Sequence, residues 1–94
     1  MAAYAILDVE IYDPVRYDHY LALVAPALEA AGARYLAKGE ATVYEGDWVP
    51  RRFVLLEFPS KAHAEIFYNC PLYQSLKAMR DECSSARLVG IEGL

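Results

Sequence analysis

The chain has little of what most specialised sites require. Its five glycines stand at 32, 39, 46, 90 and 93 and never cluster into a phosphate-cradling loop, so no nucleotide cofactor is expected. No nucleophile-elbow or Cys–His signature is present either. Cysteine is limited to Cys70 and Cys83. A structural zinc site needs four ligands and a disulfide scaffold needs more bridges, so both thiols are read as reduced and mostly buried. His19 and His63 have no acidic or thiol companion at ligand spacing, and no metal site is expected. Basic residues are outnumbered, 9 Lys and Arg against 13 Asp and Glu for a net charge of −4. That balance argues against nucleic acid, which needs clustered cations to neutralise phosphates. No apolar run approaches the ~20 residues that cross a bilayer. The opening MAAYAILDVEIYD lacks the cationic start of a signal peptide. A cytoplasmic location without a membrane partner is the expectation.

What the chain does have is apolar surface. Hydrophobic residues make up 56% of 94 positions, and eight are tyrosine. A length of 94 residues makes one domain, 1–94, with too little interior for so much of it. Part of that surface is expected to meet another subunit.

The stretch 51–73, RRFVLLEFPSKAHAEIFYNCPLY, organises the rest. Phe53-Val54-Leu55-Leu56 is apolar enough for an inner strand covered on both faces, with Glu57 as its one carboxylate. Ser60 then caps a helix whose stripe is His63, Ile66, Phe67 and Cys70, with Tyr68 at its edge. Pro71 breaks this helix and starts another, with Leu72, Tyr73, Leu76 and Met79 inward. Upstream, residues 3–11 alternate: Ala5, Leu7, Val9 and Ile11 share one strand face, and Tyr4, Ile6, Asp8 and Glu10 the other. Asp13-Pro14 opens a helix that carries Tyr17, Tyr20, Leu21, Val24, Ala27, Leu28 and Ala31 on one side. Pro26 lies within that stripe and predicts a bend, and Gly32 ends the helix. A second strand is expected over 33–45, bulged at Gly39, with Arg34, Leu36 and Lys38 on a common face. Residues 46–50 read as the hairpin into the inner strand, and 85–92 as a last strand with Arg87, Val89 and Ile91 aligned.

The order β-α-β-β-α-β, with right-handed crossovers, gives an α+β ferredoxin-like domain. Its four-stranded antiparallel sheet has the order 4-1-3-2, with the helices on one face. The opposite face carries Ile6, Leu36, Phe53 and Leu55 and has no helix left to cover it, so a second copy of the chain is the simplest cover.

Four segments carry a family likeness: AYAILDVEIYDPVRYDHY, VAPALEAAGARYLAKG, EGDWVPRRFVLLEFPS and FYNCPLYQSLKAMR. Together they resemble the small bacterial family called domain of unknown function 1330, a branch of the dimeric α+β barrel superfamily. The resemblance covers nearly the whole chain, and the EGDW…EFPS block is its most specific part. It implies a homodimer whose sheets face each other and no particular reaction. Ala33 stands where family members often have glycine, and Lys38 where arginine is usual. A lysine there removes the planar fork that grips a carboxylate with two bonds.

The face without helices is where chemistry is expected, because charge is mixed into it. Asp8, Glu10 and Glu57 on central strands meet Arg34 and Lys38 on the flanking one. One reading is an internal ion-pair network in a structural or interaction dimer with no ligand. The other is a polar patch in an apolar barrel that binds a small organic acid, or converts it without a cofactor. In that reading Glu57 is the candidate catalytic base, and Arg34 is the anion clamp. Lys38 and Asp8 complete the charged set of ligand-binding candidates. Tyr17, Tyr20 and Tyr68 are read as core residues, or as phenols that hydrogen-bond a ligand at the pocket mouth.

Overall fold

In the computed structural model, which describes residues 1–94, the elements follow that order. They are β1 (Ala3–Ile11), α1 (Pro14–Ala30), β2 (Arg34–Gly39), β3 (Arg52–Phe58), α2 (Lys61–Asn69), α3 (Pro71–Cys83) and β4 (Ser84–Glu92). The four strands form one antiparallel sheet in the order β2-β3-β1-β4, which is 4-1-3-2 read from the other edge. The ferredoxin-like α+β arrangement expected from the sequence is therefore present.

Local chemistry explains the boundaries. Asp13 is extended and its carboxylate accepts the Arg16 amide at 3.2 Å, filling one of the four donors a helix start leaves open. The helix then runs unbroken through Pro26 to Ala30. It ends in a Schellman motif: the Gly32 amide reaches the Glu29 carbonyl and the Ala33 amide the Leu28 carbonyl, both at 3.0 Å. Gly32 needs its φ of +79° for this, and a Cβ there would sit 3.0 Å from the Pro59 ring. Ser60 caps α2 by accepting the His63 amide at 3.1 Å. Cys70 both closes α2 and opens α3, its sulfur accepting the Tyr73 amide at 3.4 Å.

The core lies between the sheet and the helices. Leu7 and Val9 of β1 and Val54 and Phe58 of β3 point into it. From above it is filled by Tyr17, Tyr20, Val24 and Leu28 of α1, Phe67 of α2, and Tyr73, Leu76 and Cys83 of α3. Three inward assignments need correction. His63 and Ile66 are exposed, because α2 meets the sheet through Ala64 and Phe67, and Leu72 of α3 is exposed as well. Leu72 lies in the first turn of α3, beside the buried Tyr73.

The second strand also differs. It stops at Gly39, and residues 40–51 form a long connection where a hairpin of 46–50 was expected. The irregularity in its pairing falls between Tyr35 and Ala37, not at Gly39. Leu36 is the extra residue, so alternation restarts after it. Arg34 pairs with Glu57 and Ala37 with Leu55 on the open face, whereas Tyr35 pairs with Leu56 and Lys38 with Val54 on the helix side. Lys38 therefore does not share the Arg34 face.

The open face keeps its apolar character. Ile6 stands between Leu55 and Val89, and Tyr4 between Glu57 and Ile91. Val89 and Ile91 are both 61% exposed, well beyond what large aliphatic residues usually show when buried in a sheet.

Candidate functional site

The two sheet faces divide the site residues expected from sequence. On the open face every carboxylate is engaged. Arg34 Nε donates to Glu57 Oε1 at 2.7 Å, a pair placed directly by their cross-strand register. Arg51 Nε lies 3.3 Å from Glu10 Oε2. Asp8 accepts two bonds from the 40–51 connection, one from the Arg51 amide at 2.9 Å and one from Trp48 Nε1 at 3.3 Å. The Trp48 ring stands edge-on over Phe53 with centroids 5.1 Å apart. Asp8, Arg34 and Glu57 thus hold backbone, loop and strand together, and none of them reaches the cavity described next.

That cavity lies on the other side, between sheet and helices, with a volume of about 510 Å³. Its walls are mostly hydrophobic, from Leu7, Val54, Phe58 and Phe67 among others. Four of the sequence-derived candidates do line it: Tyr17, Tyr20, Tyr68 and Lys38. Tyr17 and Tyr20 arrive there because positions 17, 20 and 24 of α1 face the sheet, Tyr68 comes from α2, and Lys38 arrives because the bulge at Leu36 turns it over. Lys38 Nζ sits 4.9 Å from the centre of the Tyr35 ring, a cation–π contact at the β2 edge.

Sequence reasoning missed Arg80. It is only 4% exposed, in the stripe Tyr73, Leu76, Arg80 and Cys83 on the inner side of α3. The spacing of three, four and three was the available signal, since it puts a cation on a core-facing line. Arg80 Nη1 donates to the Tyr73 hydroxyl at 2.9 Å, and Nη2 lies 3.5 Å from Asp81 Oδ1. Its Nε–H is buried and has no partner.

Electrostatics follow from burial. Desolvation raises the Tyr17 and Tyr20 phenols above the ordinary tyrosine value, with Arg80 acting in the opposite direction on both. Burial opposes the Arg80 charge, but Tyr73, Tyr20 and Asp81 more than offset it, so the guanidinium stays protonated. The cavity therefore presents neutral phenols as hydrogen-bond donors beside one buried cation. No group of three or more His, Cys, Asp or Glu side chains converges anywhere to hold a metal ion. No helix is long and apolar enough to cross a membrane.

Comparison with known proteins places this geometry. No curated protein matches the chain. A solved protein of unknown function from Rhodopseudomonas palustris is similar at 18% identity and a TM-score of 0.77, over 99% of this chain and 82% of that one. A dimeric ferredoxin-like protein of unknown function from Thermobifida fusca YX is similar at 13% identity and a TM-score of 0.66, over 99% and 92%. The cofactor-independent oxygenase SnoaB from Streptomyces nogalater is similar at 7% identity and a TM-score of 0.72, over 99% and 93%. Likeness at these identities concerns the fold. The family model described as a domain of unknown function, DUF1330, matches residues 2–94, and the chain belongs to that family.

Proposed function

We propose that the protein is a cytoplasmic homodimer that binds a small, partly apolar, anionic metabolite in the cavity between its sheet and its helices. The observation that carries this reading is the cavity itself, about 510 Å³, with apolar walls and a few convergent polar groups. Ligand sites have this size and lining, whereas a purely structural core is packed with few voids larger than a water molecule. The phenols support binding over proton abstraction, because burial holds Tyr17 and Tyr20 protonated and so keeps them as donors. Lys38, Tyr17, Tyr20 and Tyr68 are the ligand-facing residues in this reading. Glu57, Arg34 and Asp8 belong to the open face, where the dimer forms.

Support for the dimer comes from the exposed Val89 and Ile91 beside Ile6 and Leu55, and from fold relatives described as dimeric. The two free thiols suit a reducing compartment.

The test is binding of 2-naphthoate and 2-naphthamide, followed by protein-observed NMR and thermal shift. Ligands in the cavity should move resonances of Tyr20, Val24 and Phe67, and Ala64→Phe, which fills part of the cavity, should abolish binding while the fold persists. Failure of both compounds to bind at millimolar concentration would overturn the reading.

A second reading has its own observation. The ion pairs Arg34–Glu57 and Arg51–Glu10 complete a charged network on the open face without any ligand. In that reading the dimer interface is the whole function, and the cavity stays empty with either compound.

A further inference from the structure

Arg80 is the feature that the fold leaves unexplained. A guanidinium has five N–H donors, and its burial is tolerated only when they are met. Here one bond goes to the Tyr73 hydroxyl, weaker contacts go to Asp81 and Tyr20, and Nε–H has nothing. An orphaned charged donor is strongly disfavoured in a core that could have taken methionine or leucine at the same place.

Its ionic partner is not its alone. Asp81 is shared between two cations, Lys77 Nζ at 2.9 Å and Arg80 Nη2 at 3.5 Å. The cavity lining as a whole carries Lys38, Arg52, Lys61 and Arg80 against Glu65 and Glu92, a positive balance. Asp81 is on the solvent side of α3, while Arg80 points inward and lines the cavity. Around it are flat aromatic surfaces. Tyr17 and Tyr20 have ring centroids 5.5 Å apart, and Phe67 and Tyr73 are 4.8 Å apart.

We propose that Arg80 anchors the anionic group of the cavity's ligand, and that the ligand is a planar anion, an aromatic or conjugated carboxylate or enolate. This deepens the reading of the cavity as a ligand site and rests on it. One oxygen of such an anion takes up the unmet Nε–H, which the side chain must first turn towards the cavity, as charge-assisted bonds of guanidinium to carboxylate favour. The ring lies among the tyrosine and phenylalanine side chains, which prefer offset or edge contacts with another flat ring.

The experiment compares 2-naphthoate with its neutral isostere 2-naphthamide on wild type, Arg80→Lys and Arg80→Gln. Wild type should bind the acid at least tenfold tighter than the amide. Arg80→Gln should lose that preference while affinity for the amide holds. The Arg80 side-chain Nε–H resonance of the wild-type protein should shift with the acid and not with the amide, which tests the contact even where Arg80→Gln does not fold. Equal binding of acid and amide overturns the inference and the anionic part of the reading, and leaves the cavity as a ligand site. A preference for the acid that survives in Arg80→Lys and Arg80→Gln, with no movement of the Nε–H resonance, moves the anchor to another cation and also overturns it. If neither naphthalene compound binds, the cavity reading itself has failed, and the inference falls with it.

Discussion

Asp8 and Trp48, forty residues apart in sequence, meet through a hydrogen bond of 3.3 Å from the indole N–H to the carboxylate. The other carboxylate oxygen takes the Arg51 amide, so one side chain in the middle of β1 secures the far end of the long 40–51 connection. An acidic residue on an apolar sheet face is thereby satisfied by backbone and side chain of a loop, without any ligand.

Replacing Asp8 with alanine should release that connection while leaving the core intact. The loss of two hydrogen bonds at a partly exposed site should cost about 1–3 kcal/mol. Trp48 is the single tryptophan, so its fluorescence reports the change directly. Emission should shift to longer wavelength and become more accessible to acrylamide, with far-UV circular dichroism unchanged.

The proposed dimer can be separated from the fold of one chain. Val89 is exposed on an edge strand, so Val89→Lys should be tolerated by a single subunit. Sheet-to-sheet interfaces of this kind bury ~2,000 Å² or more, and a lysine in one should weaken association by orders of magnitude. Sedimentation velocity at low micromolar concentration should show a wild-type dimer and a folded Val89→Lys monomer. A wild-type monomer at that concentration would contradict the covered face.

Gly32→Ala should destabilise by about 1 kcal/mol or more. Its φ of +79° disfavours any Cβ, and the added methyl would press on Pro59 at 3.0 Å. Urea unfolding should show a lower midpoint with an unchanged slope, because the surface exposed on unfolding stays the same.

Alkaline pH should unfold the protein through its phenols. Tyr17 and Tyr20 have raised folded-state values because burial disfavours the phenolate. The unfolded chain gives up those protons first, near pH ~10. Their stabilising contribution is therefore complete below that pH and is lost as pH rises from there through the folded values. Tyrosinate absorbance at 295 nm should show part of the eight tyrosines ionising only together with the loss of circular dichroism. A single early step for all of them, with the fold intact, would count against burial as the cause.

The fold was legible because its signals are local and repeated. Alternation over residues 3–11, the Asp13-Pro14 start, Gly32 at a helix end and Pro71 between two helices each name an element without knowledge of the rest. Right-handed crossovers then leave few sheet orders. The bulge was harder, since glycine at 39 marked a plausible break while the actual extra residue is Leu36, an ordinary strand former. Of the cavity only its tyrosines were legible, Tyr17, Tyr20 and Tyr68 at a pocket mouth, and not its volume. Alternation tells which side chains share a face, but empty space depends on how tyrosines and helices fill the volume between layers. Charge drew attention to Glu57 and Arg34, whose register makes them partners. Arg80 was legible only as a cation on an apolar stripe, a pattern more often produced by long side chains reaching out to water.

The extra residue in β2 has one more effect, on how the protein behaves when crowded. β2 is an edge of the sheet, and edges with regular pairing invite further strands from other molecules. At Leu36 the ladder loses its step and the strand twists more strongly, so a neighbour's strand could not continue in register along it. The opposite edge, β4, pairs regularly with β1 over its nine residues. Misassembly of this protein into fibrils or swapped oligomers should therefore start at β4, and a proline placed at an outward-facing amide of that strand should suppress it.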